Sequence, residues 1–247
     1  MDVSSYVLLS HEQALRRRLD ITANNLANMN TVGFKREKPV FHEYVEKTDS
    51  TVEPARTASF VLDYGAVHDT AQGGFQQTDN PLDVYIDGPG YLSVEDAEGN
   101  PAYTRAGFIK VLASGELATS GGERILGDNG KPIVVPPDQA NGLSIANDGT
   151  VNGADGPLGR IAVTVFDNEA TVTPRGDGLV TGTGGRVLAA GDTRLRSGGV
   201  EAPNVNPIVE TTDMIDILRA YQTSQKISDS MADLRKRALD RLSKPGN

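Results

Sequence analysis

Glycine and proline are distributed so unevenly along this chain that they divide it into three parts. From Ser4 to Asn28 there is neither, and between Pro207 and Pro245 there is neither again, whereas 24 of the 27 glycines lie between Gly73 and Gly199. Glycine and proline interrupt helices and serve turns, so the two ends can be helical while the middle is forced into frequent reversals. A helical start, a β-rich middle and a helical end is therefore the expected order.

The periodicity of the ends supports this. Leu8, Leu15, Leu19 and Leu26 fall on one face, with Val7, Ala14 and Ile21 beside it at sevenfold spacing. A helix of about 25 residues would be about 37 Å long, and Gly33 and Pro39 would stop it. At the other end Ile217, Ala220, Ser224, Ile227, Met231, Leu234, Ala238 and Leu242 trace a seam spaced 3, 4, 3, 4, 3, 4, 4. That is coiled-coil-like periodicity. Ser and Ala within it permit close approach but weaken an isolated pair, so packing must supply most of the stability. Two apolar stripes at the ends of one chain call for burial, either on each other or on neighbouring copies.

The middle reads as antiparallel β structure. Short apolar runs at Leu82–Ile86, Tyr91–Val94, Phe108–Leu112, Lys131–Val135, Gly142–Ile145 and Arg160–Phe166 alternate with Asp87-Gly88, Asn129-Gly130, Asn141-Gly142, Asp148-Gly149 and Asn152-Gly153. Such pairs tolerate positive φ and mark hairpin turns. The expected organisation is a helical domain built from residues 1–35 and 205–247, a transition segment at 36–80, and an inserted β-rich domain at 81–204. The fold class is mixed α and β, with the terminal helices packing together in coiled-coil fashion.

Charge and composition narrow the function. The net charge of −9 is carried wholly by the middle: residues 1–35 and 205–247 are each +1, leaving −11 between them. Near-neutral ends suit close packing and an acidic middle suits solvent, while nucleic-acid binding, which needs a basic face, is excluded. Cysteine is absent, so thiolate chemistry and disulfides are too. No stretch approaches the roughly 20 apolar residues of a membrane span, so no membrane insertion is expected. The start lacks the apolar core of a secretory signal, since Glu12 follows Tyr6–Leu9 closely.

No catalytic pattern survives inspection. His11, His42 and His68 have no metal-ligand spacing. Asp148-Gly-Thr-Val-Asn152-Gly153 begins like a calcium loop, but its twelfth position is Gly159 where a bidentate Glu is needed, so it reads as a turn. Gly182-Thr-Gly184-Gly-Arg-Val187 lacks the last glycine of a dinucleotide loop. Arg16-Arg17-Arg18 is read as a solvated helix face or a contact for an acidic neighbour. A sugar-binding β domain with helical flanks is the competing reading from another class, but a chain with no Trp and 13 aromatics has little to stack on a sugar.

The run from Leu19 to Lys35, LDITANNLANMNTVGFK, resembles the N-terminal motif of the flagellar rod and hook protein family. Asn204-Val-Asn-Pro207, Glu210 and Met214-Ile-Asp-Ile-Leu-Arg-Ala-Tyr221-Gln resemble its C-terminal segment, with Pro203 in place of the usual Ser. Asn80–Tyr91 and Tyr103–Phe108 resemble rod members that carry an inserted β domain, and the start and length are more similar to the proximal than the distal rod class. The resemblance implies a structural subunit without cofactor or catalytic role. It implies export by the flagellar type III apparatus, and helical assembly with itself and other rod proteins in the periplasmic basal body. Its assembly residues would be Leu8, Leu15, Leu19, Asn24, Asn25, Leu26, Asn28, Gly33, Asn204, Ile217, Tyr221, Ile227, Met231 and Leu234. Asn24, Asn25 and Asn28 are poor interior helix residues with spare donors and acceptors, so they are expected to bond between subunits. Gly33 is expected to supply the turn after the helix.

Overall fold

A computed structural model of the chain describes residues 3–47, 57–140, 142–168, 171–175 and 177–242. The chain forms two compact units. One comprises residues 1–27, 36–69 and 205–247, and the other residues 28–35 and 70–204.

The first unit has four elements: helix α1 (Val3–Ala27), strands β1 (Glu37–Lys47) and β2 (Thr57–His68), and helix α2 (Pro207–Leu242). At 25 and 36 residues the helices are about 37 and 54 Å long. Helix α2 starts where it does because Asn206 caps it. The Asn206 carboxamide oxygen accepts from the amides of Ile208 (3.1 Å) and Val209 (3.4 Å), and Pro207, which has no amide to satisfy, occupies the first helical position.

The helices pack on each other, and three side-chain bonds give their direction. Asn25 meets Glu210, Glu12 meets Ser224, and Ser5 meets Arg235. As one number rises the other falls, so the pair is antiparallel. Ala14, Leu15 and Ile21 of α1 and Ile217 and Ser224 of α2 are buried.

The segment expected as a transition is mostly a long hairpin. Strands β1 and β2 pair antiparallel from Glu37↔His68 to Lys47↔Thr57, with a bulge between Val40 and Phe41. A two-stranded ribbon is marginal alone, and α1 lies against both strands. Polar residues on either side of the bulge hide the alternation that would have announced it.

In the second unit every strand pairing is antiparallel. The main sheet runs in the order Thr173–Pro174, Val180–Thr181, Pro101–Thr104, Tyr91–Glu95, Arg124–Ile125, Leu117–Thr119, Ile109–Val111. Val163–Phe166 joins it by pairing with Tyr91–Glu95 and Gly185–Val187. Ser144–Ile145, Thr150–Gly153 and Gly156–Arg160 make a three-stranded sheet, and Val84–Ile86 and Phe75–Gln77 pair with Leu195–Ser197 and Gly199–Glu201. The core is aliphatic, with Leu92, Leu117, Ile125, Val151, Ile161 and Val163 all fully enclosed.

Two details depart from the sequence reading. Lys131–Val135 makes only isolated bridges, through Pro132 and Val134, because Pro132 has no amide to continue a ladder. Asn152-Gly153 lies in the strand, and the hairpin reverses at Ala154-Asp155, where Gly153 faces Gly156. Asp148-Gly149 does form a turn: the Gly149 amide donates to Ala146, φ at Gly149 is +87°, and the Asp148 carboxylate accepts from Thr150. Asn141 lies outside the described residues.

Buried Asp96 organises the turn between Tyr91–Glu95 and Pro101–Thr104. Its carboxylate accepts from Arg175 Nη1 (2.8 Å) and from the amides of Asn100 (2.8 Å) and Glu98 (3.0 Å). The Arg175 bond first, then the Asn100 amide, hold its pKa down to about 2 from 3.8. A folded-state pKa below the unfolded one stabilises above the unfolded value, and that stabilisation is lost as pH falls toward 2. Asp96→Asn is expected to lower the urea midpoint at pH 6, with the gap to wild type closing below pH 4. A gap that stays constant across that range would show that the Asp96 charge contributes nothing.

Candidate functional site

The candidate site is the outward surface of the helical unit together with the polar residues that set its geometry. Along α2, Glu210, Ile217, Ser224 and Met231 recur every seven residues. The first three are buried and Met231 is half-buried against the rest of the unit. The other half of the periodic seam turns away: Ile227 is 48% and Leu234 is 65% exposed. Leu239 joins them near the end of α2, while Ile208 and Ile215 are exposed at its start and Tyr6 and Leu9 are exposed on α1. The helical unit therefore leaves large apolar side chains in solvent along both helices, an unfavourable arrangement for a free subunit.

The remaining expected residues are distributed as follows. Leu15 is buried, and Leu8, Leu19, Leu26 and Tyr221 are half-buried. Asn24 is exposed, and Asn28 is half-buried and accepts from Thr31 Oγ1 at 3.1 Å.

Asn25 differs from the sequence expectation. It is 1% exposed, and its carboxamide forms a two-way pair with the backbone of Glu37, donating to the carbonyl (2.9 Å) and accepting from the amide (2.8 Å). The same Nδ2 donates to Glu210 Oε2 at 3.2 Å. Its bonding capacity is spent inside the chain, where it holds the start of β1 to α1. Glu210, also 1% exposed, takes Arg36 Nε on its other oxygen at 2.5 Å, and Arg36 reaches Asp213 at 3.7 Å.

Gly33 and Asn204 lie in the second unit. The Gly33 amide donates to the Glu201 carbonyl at 2.9 Å, and Asn204 Nδ2 donates to the Ala71 carbonyl at 2.9 Å. Gly33 has φ +72°, and a Cβ there would come within 2.4 Å of the Arg105 carbonyl carbon. Its lack of a side chain thus serves a close backbone approach as well as the turn.

Sequence reasoning missed the buried charges: Glu210 here, with half-buried Arg36 paired to it, and Lys35, Arg105 and Glu201 in the other unit. The signal in the sequence was that Lys35, Arg105 and Glu210 sit inside the segments that carry the family resemblance. Among the described residues no three acidic, His or Cys side chains converge as metal ligands, and no helix is long and apolar enough to cross a membrane. His42 packs edge-on against Tyr64 at 4.6 Å, and His68 lies 3.8 Å from Glu37.

Comparison with known proteins matches three stretches of the chain. Residues 6–35 match the flagella basal body rod protein family, residues 85–153 the D1 domain of the flagellar hook proteins FlgE/F/G, and residues 196–241 the C-terminal region of the FlgEFG basal body rod proteins. The flagellar basal-body rod protein FlgF of Caulobacter vibrioides is 35% identical, with 99% of each chain covered. FlgF of Escherichia coli is 31% identical over 98% of this chain and 99% of its own. The rod protein FlgG of Agrobacterium fabrum is 32% identical over 90% of this chain and 93% of its own. An alignment that runs through both units and the motif joining them leaves no part of the fold to another origin: the chain belongs to the flagellar basal-body rod protein family.

Proposed function

We propose that this chain is a structural subunit of the flagellar basal-body rod, of the proximal class, and that it works by packing rather than by catalysis. The observation that carries the mechanism is the pair of exposed side chains Ile227 and Leu234 on a helix whose other face is already buried. A second copy, or another rod protein, that covers this stripe continues the seam begun by Ile217, Ser224 and Met231, in coiled-coil fashion. On this reading the terminal helices, within residues 1–27 and 205–247, form the assembly surface, and the acidic β unit faces outward. The partners are further copies, the other rod proteins and the flagellar type III export apparatus that delivers the subunit to the periplasm. No substrate, cofactor or metal has a part.

The proximal class is favoured over the distal by relatedness within one organism. The FlgF of Caulobacter vibrioides is 35% identical over 99% of this chain, and its FlgG is 31% identical over 93%. The test is a chromosomal deletion, complemented by an epitope-tagged copy. Swimming is expected to be lost and restored, and the tagged protein is expected in purified basal bodies stripped of hooks and filaments. Undiminished swimming of the deletion strain, or a tagged copy absent from basal bodies, would overturn the reading.

A further inference from the structure

The second unit is entered or left at four points in the chain: 27/28, 35/36, 69/70 and 204/205. The residues just inside those points, 28–35, 70–74 and 201–204, are bonded to one another around a single carboxylate. Glu201 Oε1 accepts from Lys35 Nζ at 2.6 Å and from the Gly73 amide at 2.8 Å, and Oε2 accepts from Arg105 Nη1 at 2.9 Å. Lys35 also donates to the Ala71 carbonyl at 2.9 Å, where Asn204 Nδ2 converges at the same distance. Backbone bonds close the group: the Gly33 amide donates to the Glu201 carbonyl (2.9 Å) and the Ala202 amide to the Gly74 carbonyl (2.8 Å). Arg105 is anchored from behind by the Gly88 carbonyl at 2.9 Å. The side chains of Lys35, Arg105 and Glu201 are 8%, 6% and 1% exposed.

None of these residues belongs to the aliphatic core of the unit. A buried ion pair adds little net stability over apolar packing, yet removing one partner is costly because the other is left charged and dry. What such a cluster does well is admit one arrangement. We propose that Lys35, Glu201 and Arg105 form a clamp that gathers the three connecting segments of the β unit into one fixed exit, with Glu201 as its centre and Lys35 fastening residues 28–35, the strap, to it. On this account Gly33 and Lys35 are not contact residues for a neighbouring subunit. They are positioning residues, and Gly33 is glycine because the strap lies directly on the Arg105–Ala106 backbone. The clamp does not depend on what the protein assembles into.

The test is hydrogen exchange on the full chain, which reports local opening separately from global unfolding. Glu201→Gln keeps the shape but removes the charge that both cations share. The amides of Gly33, Gly73 and Ala202 are expected to exchange at least about tenfold faster together, while the core amides of Leu117 and Ile133 keep wild-type protection. Lys35→Met leaves Glu201 neutralised by Arg105, so it is the variant to read if Glu201→Gln does not fold. It is expected to free the Gly33 amide while Gly73 stays protected. An unchanged Gly33 amide in Lys35→Met, or acceleration spread evenly over core and segments in Glu201→Gln, would overturn the clamp.

Discussion

Leu234→Asp is expected to abolish swimming while leaving the isolated subunit as stable as wild type. Leu234 is 65% exposed, so the free chain loses only a minor part of its buried apolar area when it becomes polar, and Asp at that position stays hydrated. Surface changes of this kind usually move stability by no more than about 0.5 kcal/mol. In an assembly that covers the α2 stripe, the same carboxylate would be taken out of water among apolar side chains with no cation to meet it. The penalty is several kcal/mol after relaxation, and about 3 kcal/mol already weakens each subunit addition by roughly a hundredfold. Helical assembly repeats that penalty at every copy. Ile217→Asp is the matching control, because Ile217 is 3% exposed and the charge would disrupt the helical unit itself. Circular dichroism melts of both variants, swim-plate radius and immunoblots of basal bodies separate the cases. Wild-type swimming and incorporation by Leu234→Asp would mean that the exposed stripe is not a contact surface.

That contrast between Ile217 and Leu234 marks the limit of what the sequence discloses. Both occupy the same heptad-like seam, so periodicity assigns them to one face, and it identifies α2 almost to its ends. Periodicity carries no information on which turns of a seam a partner helix covers. Ser224 is buried where Glu12 reaches it and α1 still meets Arg235 through Ser5, yet Ile227 and Leu234 between those two contacts are 48% and 65% exposed. The β domain was legible because its turns are written in glycine and its core in alternating aliphatics. The β1–β2 hairpin was not, since His42, Glu43 and Asp63 break the alternation and the bulge at Val40 shifts the register. The buried charges were illegible for a different reason. Nothing in the local sequence distinguishes Lys35 or Glu201 from a solvated residue, and their burial is decided by segments more than a hundred residues apart.

Asn25→Ala is expected to destabilise the helical unit, although alanine is the better helix former. The intrinsic gain is at most about 0.7 kcal/mol. Against it stand three bonds made by one buried side chain: two to the backbone of Glu37 and one to Glu210 Oε2. Each is worth about 1 kcal/mol net. A buried acceptor left without its donor adds roughly 1–3 kcal/mol more, and most for the charged oxygen of Glu210. The balance is a loss of about 3–5 kcal/mol, which for a unit of this size lowers the melting temperature by roughly 10 °C or more. The ordering of variants tests the geometry. Asn25→Asp preserves shape and can still accept from the Glu37 amide, but it sets a second carboxylate where Nδ2 stood, 3.2 Å from Glu210 Oε2, and is expected to be worse than Asn25→Ala. Asn24→Ala, at an exposed position one residue earlier, is expected to cost less than either. Thermal unfolding followed at 222 nm reads the helical unit directly. If Asn25→Ala melts within a degree or so of wild type, the asparagine does not hold α1 to the start of β1, and its place in the motif must then be explained by contacts between subunits.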